Sequence, residues 1–474
     1  MQNKNLIINS LFYFLPYVLF FALFLPQFGS LPYLDGNIDF IKTTDFFSGG
    51  FKMLFTNWPS AHPPLKPVVL YPFYKMFGIN TFSFVLPGLI AGFAGIFAVC
   101  GITSGFFNRP TGTIAGLLLA MSPIFVATGV FSLIDYLLAV FILLATFYYL
   151  RSKYLLFSIF SILAFFTKET ALTFIFSMII VEIVFGLLSI VRKHAVKQVV
   201  VKILFVTAPL IITLLWFGAV KSLGQTPWSD WNFSEVAQKG SLFTIYHNIT
   251  TLNFLNKYAY QNWSMLFFLN FAWVNWLVLI AGLVVYFIKQ GGKTSSLNLH
   301  SDSQNTKTFW GIAIFFISYF MGVLSFQTYT VPRYSLPLIP FVLIGVSWAL
   351  VGLTNEFQKL KGILFVGFFL IIITSFYSST DPLSTHLWGK TTVLGEDIYA
   401  LNRTLAGNDG ITYNGQYLFI LTKRTGQIQN HSAQTINATP DCWWLFPDVR
   451  NDAKTLQRLK LNPGLYEACH VDKD

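Results

Sequence analysis

The stretch 82-FSFVLPGLIAGFAGIFAVCGITSG-105 decides the fold class. It runs for 24 residues without a charged side chain, longer than the ~20 residues a helix needs to cross a bilayer. Ten further apolar runs accompany it, at about 8–26, 111–130, 132–150, 154–167, 170–190, 203–220, 264–288, 309–326, 335–353 and 361–378. Together they predict an all-α polytopic membrane protein with about 11 transmembrane helices. No small-residue cleavage site follows the run at 8–26, so it reads as a retained span rather than a signal peptide.

Composition agrees. Hydrophobic residues make up 54% of the 474, with 52 phenylalanines, and charged residues only 11%, against about 25% in a soluble domain. Mean hydropathy is +0.59. Too little charge is present to cover a soluble surface. Residues 1–378 hold 22 Lys and Arg against 10 Asp and Glu, a net of +12, while 379–474 hold 9 against 10, a net of −1. The basic excess of +11 therefore belongs to the membrane part. Nucleic-acid binding would want it clustered on one folded face, and that class is excluded. Cys100, Cys442 and Cys469 are too few for a disulfide framework. Cys100 reads as a packed thiol, and Cys442 and Cys469 can form one bridge if their domain is extracytoplasmic.

Lys and Arg placement sets the orientation. With a cytoplasmic N-terminus and alternating spans, the inner segments carry 13 cations, Lys307 among them, mostly in short loops. The outer segments of the membrane part carry 9, spread over longer loops. An odd number of spans then puts the C-terminal tail outside. Two domains follow: a membrane domain over 1–378 and an extracytoplasmic domain over 379–474. The external loop 27–80 is rich in aromatics and proline and reads as short interfacial helices. The external loop 221–263 is rich in Trp, Asn and Ser and can cover a pocket. The tail has turn signals at Asn408-Asp409-Gly410 and Asn414-Gly415, a strand-like YLFILT at 417–422 and WWLF at 443–446. It reads as a small α/β or mixed domain. The sequons at Asn232, Asn248, Asn262, Asn402 and Asn437 all fall on outer segments.

Charge within or beside a span is costly unless paired, solvated or used, so the few charged groups there are the candidates for chemistry. Asp35, Asp39 and Asp45 follow the first span. On a helix Asp35 and Asp39 would share a face and could bind a divalent cation, or act as base and substrate-orienting group. The plainer alternative is an acidic interfacial turn. His62-Pro63-Pro64 precedes an aromatic helix-like segment and suits a first helical turn, with His62 either binding a polar headgroup or simply meeting lipid phosphates. Asp135 lies early in the fourth span and either caps it, pairs structurally or faces the bundle interior to fix a donor. Lys168-Glu169 interrupts two apolar runs, either pairing to stabilise a turn or presenting Lys168 to a phosphate. Arg333-Tyr334 opens the tenth span. A guanidinium there suits a phosphate or carboxylate, or snorkels to headgroups.

The order of these elements, with HPPL before an aromatic helix and FG, LPG at the second span, TKE at 167–169 and PRYSLPLIP at 332–340, resembles the membrane glycosyltransferases with the C-type (GT-C) fold. The likeness is strongest to the group containing protein O-mannosyltransferases and lipid A aminoarabinose transferases, and covers roughly residues 10–350. The resemblance implies a GT-C-like bundle that transfers a sugar from a polyprenyl-phosphate carrier to an acceptor on the outer face. It implies a catalytic role for Asp35, but the family's Asp-Glu pair is broken here by Gly36, with Asp39 as a substitute one helical turn away. It assigns donor-phosphate binding to His62, Lys168 and Arg333, and substrate positioning to Glu169 and Tyr334, to which Asp135 is added from its place in the fourth span if it faces the bundle interior. A divalent cation (Mg or Mn) would sit on Asp35 and Asp39. The partners implied are the polyprenyl-phosphate sugar, membrane lipids and an extracytoplasmic protein, lipid or glycan acceptor. The competing classes are a transporter or flippase of a lipid-linked saccharide and a non-catalytic envelope assembly protein.

Overall fold

The structure, a computed structural model, describes residues 2–25, 62–79, 81–130, 133–191, 196–222, 272–290, 304–324 and 332–377, single residues or short pieces within 43–53 and 247–267, and four strand segments in the tail. Asp35, Asp39 and Asp45, the loop ahead of His62 apart from short pieces, most of 221–263, the five sequons and most of 379–474 lie outside the described residues.

Helices occupy all eleven apolar runs. In chain order they are α1 (Gln2–Phe24), α2 (Leu65–Phe77), α3 (Thr81–Phe106), α4 (Arg109–Ala120), α5 (Pro123–Val130), α6 (Ile134–Leu150), α7 (Tyr154–Thr167), α8 (Ala171–Val191), α9 (Val196–Ser222), α10 (Ala272–Gln290), α11 (Gln304–Tyr319), α12 (Ile339–Glu356) and α13 (Lys361–Tyr377). Five segments among the described residues are long and apolar enough to cross a membrane, and α4 with α5 makes a sixth if that bent pair is one span. The chain is a multi-pass membrane protein. One difference from expectation lies in the run at 111–130, which is two helices meeting at 58° rather than one straight span. In the tail, β1 (Leu418–Leu421) pairs antiparallel with β2 (Ile428–His431), and β3 (Cys442–Leu445) with β4 (Tyr466–Cys469), with Cys442 directly opposite Cys469. β1 and β3 fall on the two strand-like stretches, and no other part of the expected tail domain lies among the described residues.

Local sequence explains the helix ends that matter. Asn108 caps α4, its side-chain oxygen accepting from the Thr111 amide at 3.0 Å, and Pro110 sits within the first turn, where its missing N–H leaves no gap in the ladder. α6 ends in a tight turn whose Ser152 takes a positive φ of 56°. There Lys153 N–H donates to Tyr148 O and Ser152 N–H to Tyr149 O, closing carbonyls that a helix end otherwise leaves open. α2 has 13 residues, about 20 Å at 1.5 Å per residue, too short to cross. It packs on α3 and α7, as an interfacial helix would.

The bundle is centred on α3–α8. Every described residue of α5 is buried, and so is almost all of α6. Lipid tails are as apolar as leucine, so close packing rather than water exclusion holds such helices together. A Cβ at Gly88 would fall onto the carbonyl oxygen of Gly129, so α3 and α5 touch through backbone. Beside them Tyr136 Oη donates to Gly88 O at 3.0 Å. Buried hydroxyls are mostly satisfied on their own helix: Thr103 to Val99 O, Thr128 to Ile124 O, Thr146 to Ile142 O, Ser177 to Thr173 O. A membrane interior requires such internal pairing.

A second polar cluster lies toward the α6–α7 turn. Glu182 of α8 accepts from Tyr149 Oη at 2.7 Å and from Lys307 Nζ at 3.3 Å. Gln304 donates to Tyr149 O at 2.7 Å and accepts from Tyr154 Oη at 2.9 Å. Lys307, counted from sequence among the inner loop cations, is instead a buried member of α11. Removing one partner of a buried pair leaves an uncompensated charge. Glu182→Leu and Lys307→Met should each lower unfolding stability by about 3–5 kcal/mol, and the double variant by less than either. Thermal unfolding in detergent measures this; additive losses would show that the pair is not coupled.

Candidate active site

The charged residues singled out from sequence converge at the opposite end of the α6–α7 hairpin. Asp135 lies 17 residues before Ser152 and Lys168 lies 16 after it, so folding the chain back at that turn brings them level. Lys168 Nζ donates to Asp135 Oδ1 at 2.6 Å. Arg333, carried in a 3-10 turn spanning Pro332–Ser335, donates from Nε to Asp135 Oδ2 at 3.1 Å. One carboxylate thus holds two cations, one on each oxygen. All three residues are buried, with Asp135 only 1% exposed. The Tyr334 ring completes the group, with Lys168 Nζ 4.1 Å and Arg333 Cζ 5.3 Å from its centroid, where the electron-rich face attracts positive charge.

Of the readings open to Asp135, structural pairing is the one observed. The position ahead of α6 is held by Leu133 without a side-chain cap bond. Lys168 and Glu169 do not close on each other as an ion pair but turn to different partners. Glu169 accepts from His62 Nδ1 at 2.9 Å, joining the segment ahead of α2 to the α7–α8 connection. Pro63 and Pro64 stand just before α2 rather than in its first turn, with Pro64 at the N-cap. Burial pushes the Glu169 carboxyl up, but His62 opposite it, the hydrogen bond between them and the Lys168 charge outweigh burial and hold it below the ordinary range. The group thus sets two carboxylates, Asp135 and Glu169, beside two cations, Lys168 and Arg333.

Three residues of this region were not selected from sequence. Lys66 is 2% exposed, with Nζ 5.0 Å from the Phe84 ring centroid. Tyr319 and Thr170 place buried hydroxyls beside the cluster. Lys66 stood inside the HPPL-K stretch and could have been noticed as a cation opening an otherwise apolar helix. Nothing in the pattern separated Tyr319 from the other 20 tyrosines. Asp35 and Asp39, expected to supply the base and to hold a cation, lie outside the described residues. Among the described residues no group of three His, Cys, Asp or Glu could hold a metal.

Residues 61–216 match the family model described as dolichyl-phosphate-mannose-protein mannosyltransferase. That interval contains His62, Asp135, Lys168 and Glu169. The chain also superposes on the crystal structure of ArnT from Cupriavidus metallidurans in the apo state, with a TM-score of 0.54 and 15% identity over 86% of this chain and 70% of that one. ArnT bound to undecaprenyl phosphate gives 0.53 and 16% over 84% and 72%. The Archaeoglobus fulgidus oligosaccharyltransferase in complex with Zn and sulfate gives 0.50 and 13% over 80% of this chain and 54% of that one. No curated protein matches by sequence. The chain therefore shares the fold of these membrane-protein structures, and about a third of it, residues 61–216, matches the mannosyltransferase family model.

The His62–Glu169 contact has a pH signature. Because the folded-state affinity of Glu169 for a proton is lowered, its stabilising contribution is complete above the ordinary glutamate range and is lost as pH falls below about 4.3. The unfolding midpoint of the wild type should drop more steeply between about pH 5 and pH 3 than that of Glu169→Gln. Parallel curves would mean the carboxylate is not held by its neighbours.

Proposed function

We propose that this protein is an inverting glycosyltransferase that moves a sugar from a polyprenyl-phosphate carrier to an extracytoplasmic acceptor. The observation that supports this most is convergence: Asp135, Lys168 and Arg333, separated by up to 198 residues, meet as one buried ion cluster, with His62–Glu169 attached through the Lys168–Glu169 peptide. In a chain with so little charge, such a cluster against apolar helices suits a ligand with an anionic head and a hydrocarbon tail. The undecaprenyl phosphate in the ArnT structure is a ligand of that kind.

In this reading all eleven apolar runs cross the bilayer, the N-terminus is cytoplasmic, and loops 27–80 and 221–263 and the 379–474 domain lie outside. Asp35 takes the proton from an acceptor hydroxyl, and the resulting oxygen attacks the anomeric carbon directly, inverting it. The bond to the phosphate oxygen breaks, and polyprenyl phosphate departs carrying the extra negative charge. Lys168 and Arg333, with His62 when protonated, oppose that charge through preoriented donors. Lys168 presents three N–H donors, more than its contact to Asp135 uses. Phosphate is a good leaving group, so a strong general acid is not required. Asp35 and Asp39 could together hold Mg2+ or Mn2+, which would steady an acceptor or donor oxygen; none of these steps depends on it.

Membranes containing the protein, given labelled polyprenyl-phosphate hexoses and native membrane extract, should yield a labelled acceptor identifiable by mass spectrometry. Asp35→Asn should reduce that turnover at least ~100-fold, the lower range for loss of a general base. Turnover at the wild-type rate would remove Asp35 from the mechanism. Movement of lipid-linked sugar across liposomes with no transferred product would replace the transferase by a flippase.

A further inference from the structure

The end of the bundle opposite the ion cluster carries charge of a different kind. Its α6–α7 turn reads Arg151-Ser152-Lys153, and both cations are exposed. Lys202 stands beside the turn on α9, half-buried. None of the three has an ion-pair partner among the described residues, because the two carboxylates on that side, Glu182 and Glu356, are taken by Lys307 and Lys289. Aromatic rings seat two of the cations. Arg151 Cζ lies 4.5 Å from the Phe147 ring centroid, and Lys202 Nζ lies 5.7 Å from that of Tyr154. Tyr154 is itself fixed by its bond to Gln304. Ser158 Oγ of α7 donates to Phe205 O of α9, so the helices that flank the cations are joined. On those same two helices the adjoining Leu155, Ile159, Val201 and Leu204 are exposed.

Unbalanced positive charge beside an exposed aliphatic face matches one kind of molecule: an anionic head carrying hydrocarbon tails. A soluble anion would use the cations and leave the apolar face idle. We propose that Arg151, Lys153 and Lys202 form a docking site for the headgroup of an anionic phospholipid, whose acyl chains lie on the exposed faces of α7 and α9. The 14 residues of α7, about 21 Å at 1.5 Å per residue, separate this site from Lys168 and the buried cluster. It is independent of the sugar-transfer reading. Any cation at a membrane surface attracts an anionic leaflet in a diffuse way. A site differs in that losing these three cations costs more than losing others at the same end.

The test is native mass spectrometry of the full chain in detergent, titrated with phosphatidylglycerol or with phosphatidylcholine of equal chain length. The wild type should bind the anionic lipid at least about ten-fold more tightly. Arg151→Gln, Lys153→Gln and Lys202→Gln should each weaken phosphatidylglycerol binding about five-fold and leave phosphatidylcholine within about two-fold. The control is Lys359→Gln with Lys361→Gln, which removes two exposed cations at the same end, beside α13, a helix that packs on α12. It should change neither lipid by more than about two-fold. Equal losses in the control would make the attraction diffuse and overturn the site. Unchanged binding in the three variants, or no preference for phosphatidylglycerol in the wild type, would overturn it too. Displacement of the lipid by an equal concentration of inorganic phosphate would make this a plain anion site and overturn the lipid. Lys153→Gln alters one exposed turn side chain, so its result stands even if another variant fails to fold.

Discussion

Everything at this end of the bundle hangs on the Asp135 carboxylate. Two cations buried side by side repel, and each would otherwise pay the full desolvation cost of leaving water. Placing one carboxylate oxygen against each converts that repulsion into a closed group, and the Tyr334 face adds attraction to both. The arrangement fixes three separate pieces of chain: the start of α6, the α7–α8 connection and the turn ahead of α12. Buried ion pairs contribute little net stability compared with well-packed apolar residues. A charge-poor chain that nevertheless assembles one has a reason beyond folding, and catalysis of charge movement is such a reason.

The cluster also has a useful balance. As two carboxylates against two cations it is neutral, so it can be assembled inside the bundle without an outside counter-ion. In the proposed reaction a phosphate would meet donors already oriented by Asp135, and little reorganisation would be needed as charge grew on the leaving oxygen.

Much of this was legible in the sequence because a membrane suppresses noise. Where charge is rare, each Lys, Asp or Arg near a span is a signal, and Asp135, Lys168, Glu169, Arg333 and His62 were all found that way. Their pairing was not legible. Lys168 and Glu169 are neighbours in the chain, yet they face different partners, since adjacent residues leaving a helix end diverge. The 58° break after Ala120 was hidden because the uncharged run continues unbroken from α4 into α5, and hydropathy does not record direction. Lys307 looked like a loop cation because periodic patterns weaken at helix ends. Tyr319 and Thr170 were invisible for the opposite reason: uncharged hydroxyls are common, and nothing in the pattern marks which of them the fold buries.

The break between α4 and α5 bears on how a lipid can approach. Backbone carbonyls and amides loosened at a bend tolerate hydrocarbon badly, and here they are closed by Met121 N–H to Leu117 O, Ser122 N–H to Leu119 O and Phe125 N–H to Ser122 O within a fully buried segment. That flank is sealed. Large apolar side chains face outward on most of the helices, among them Phe14 and Val18 on α1, Leu155 on α7, Leu187 on α8, Leu214 and Leu215 on α9, Phe287 on α10 and Ile363 on α13. A long hydrocarbon chain can lie along any of these outward apolar surfaces, while the bend itself offers it no open backbone.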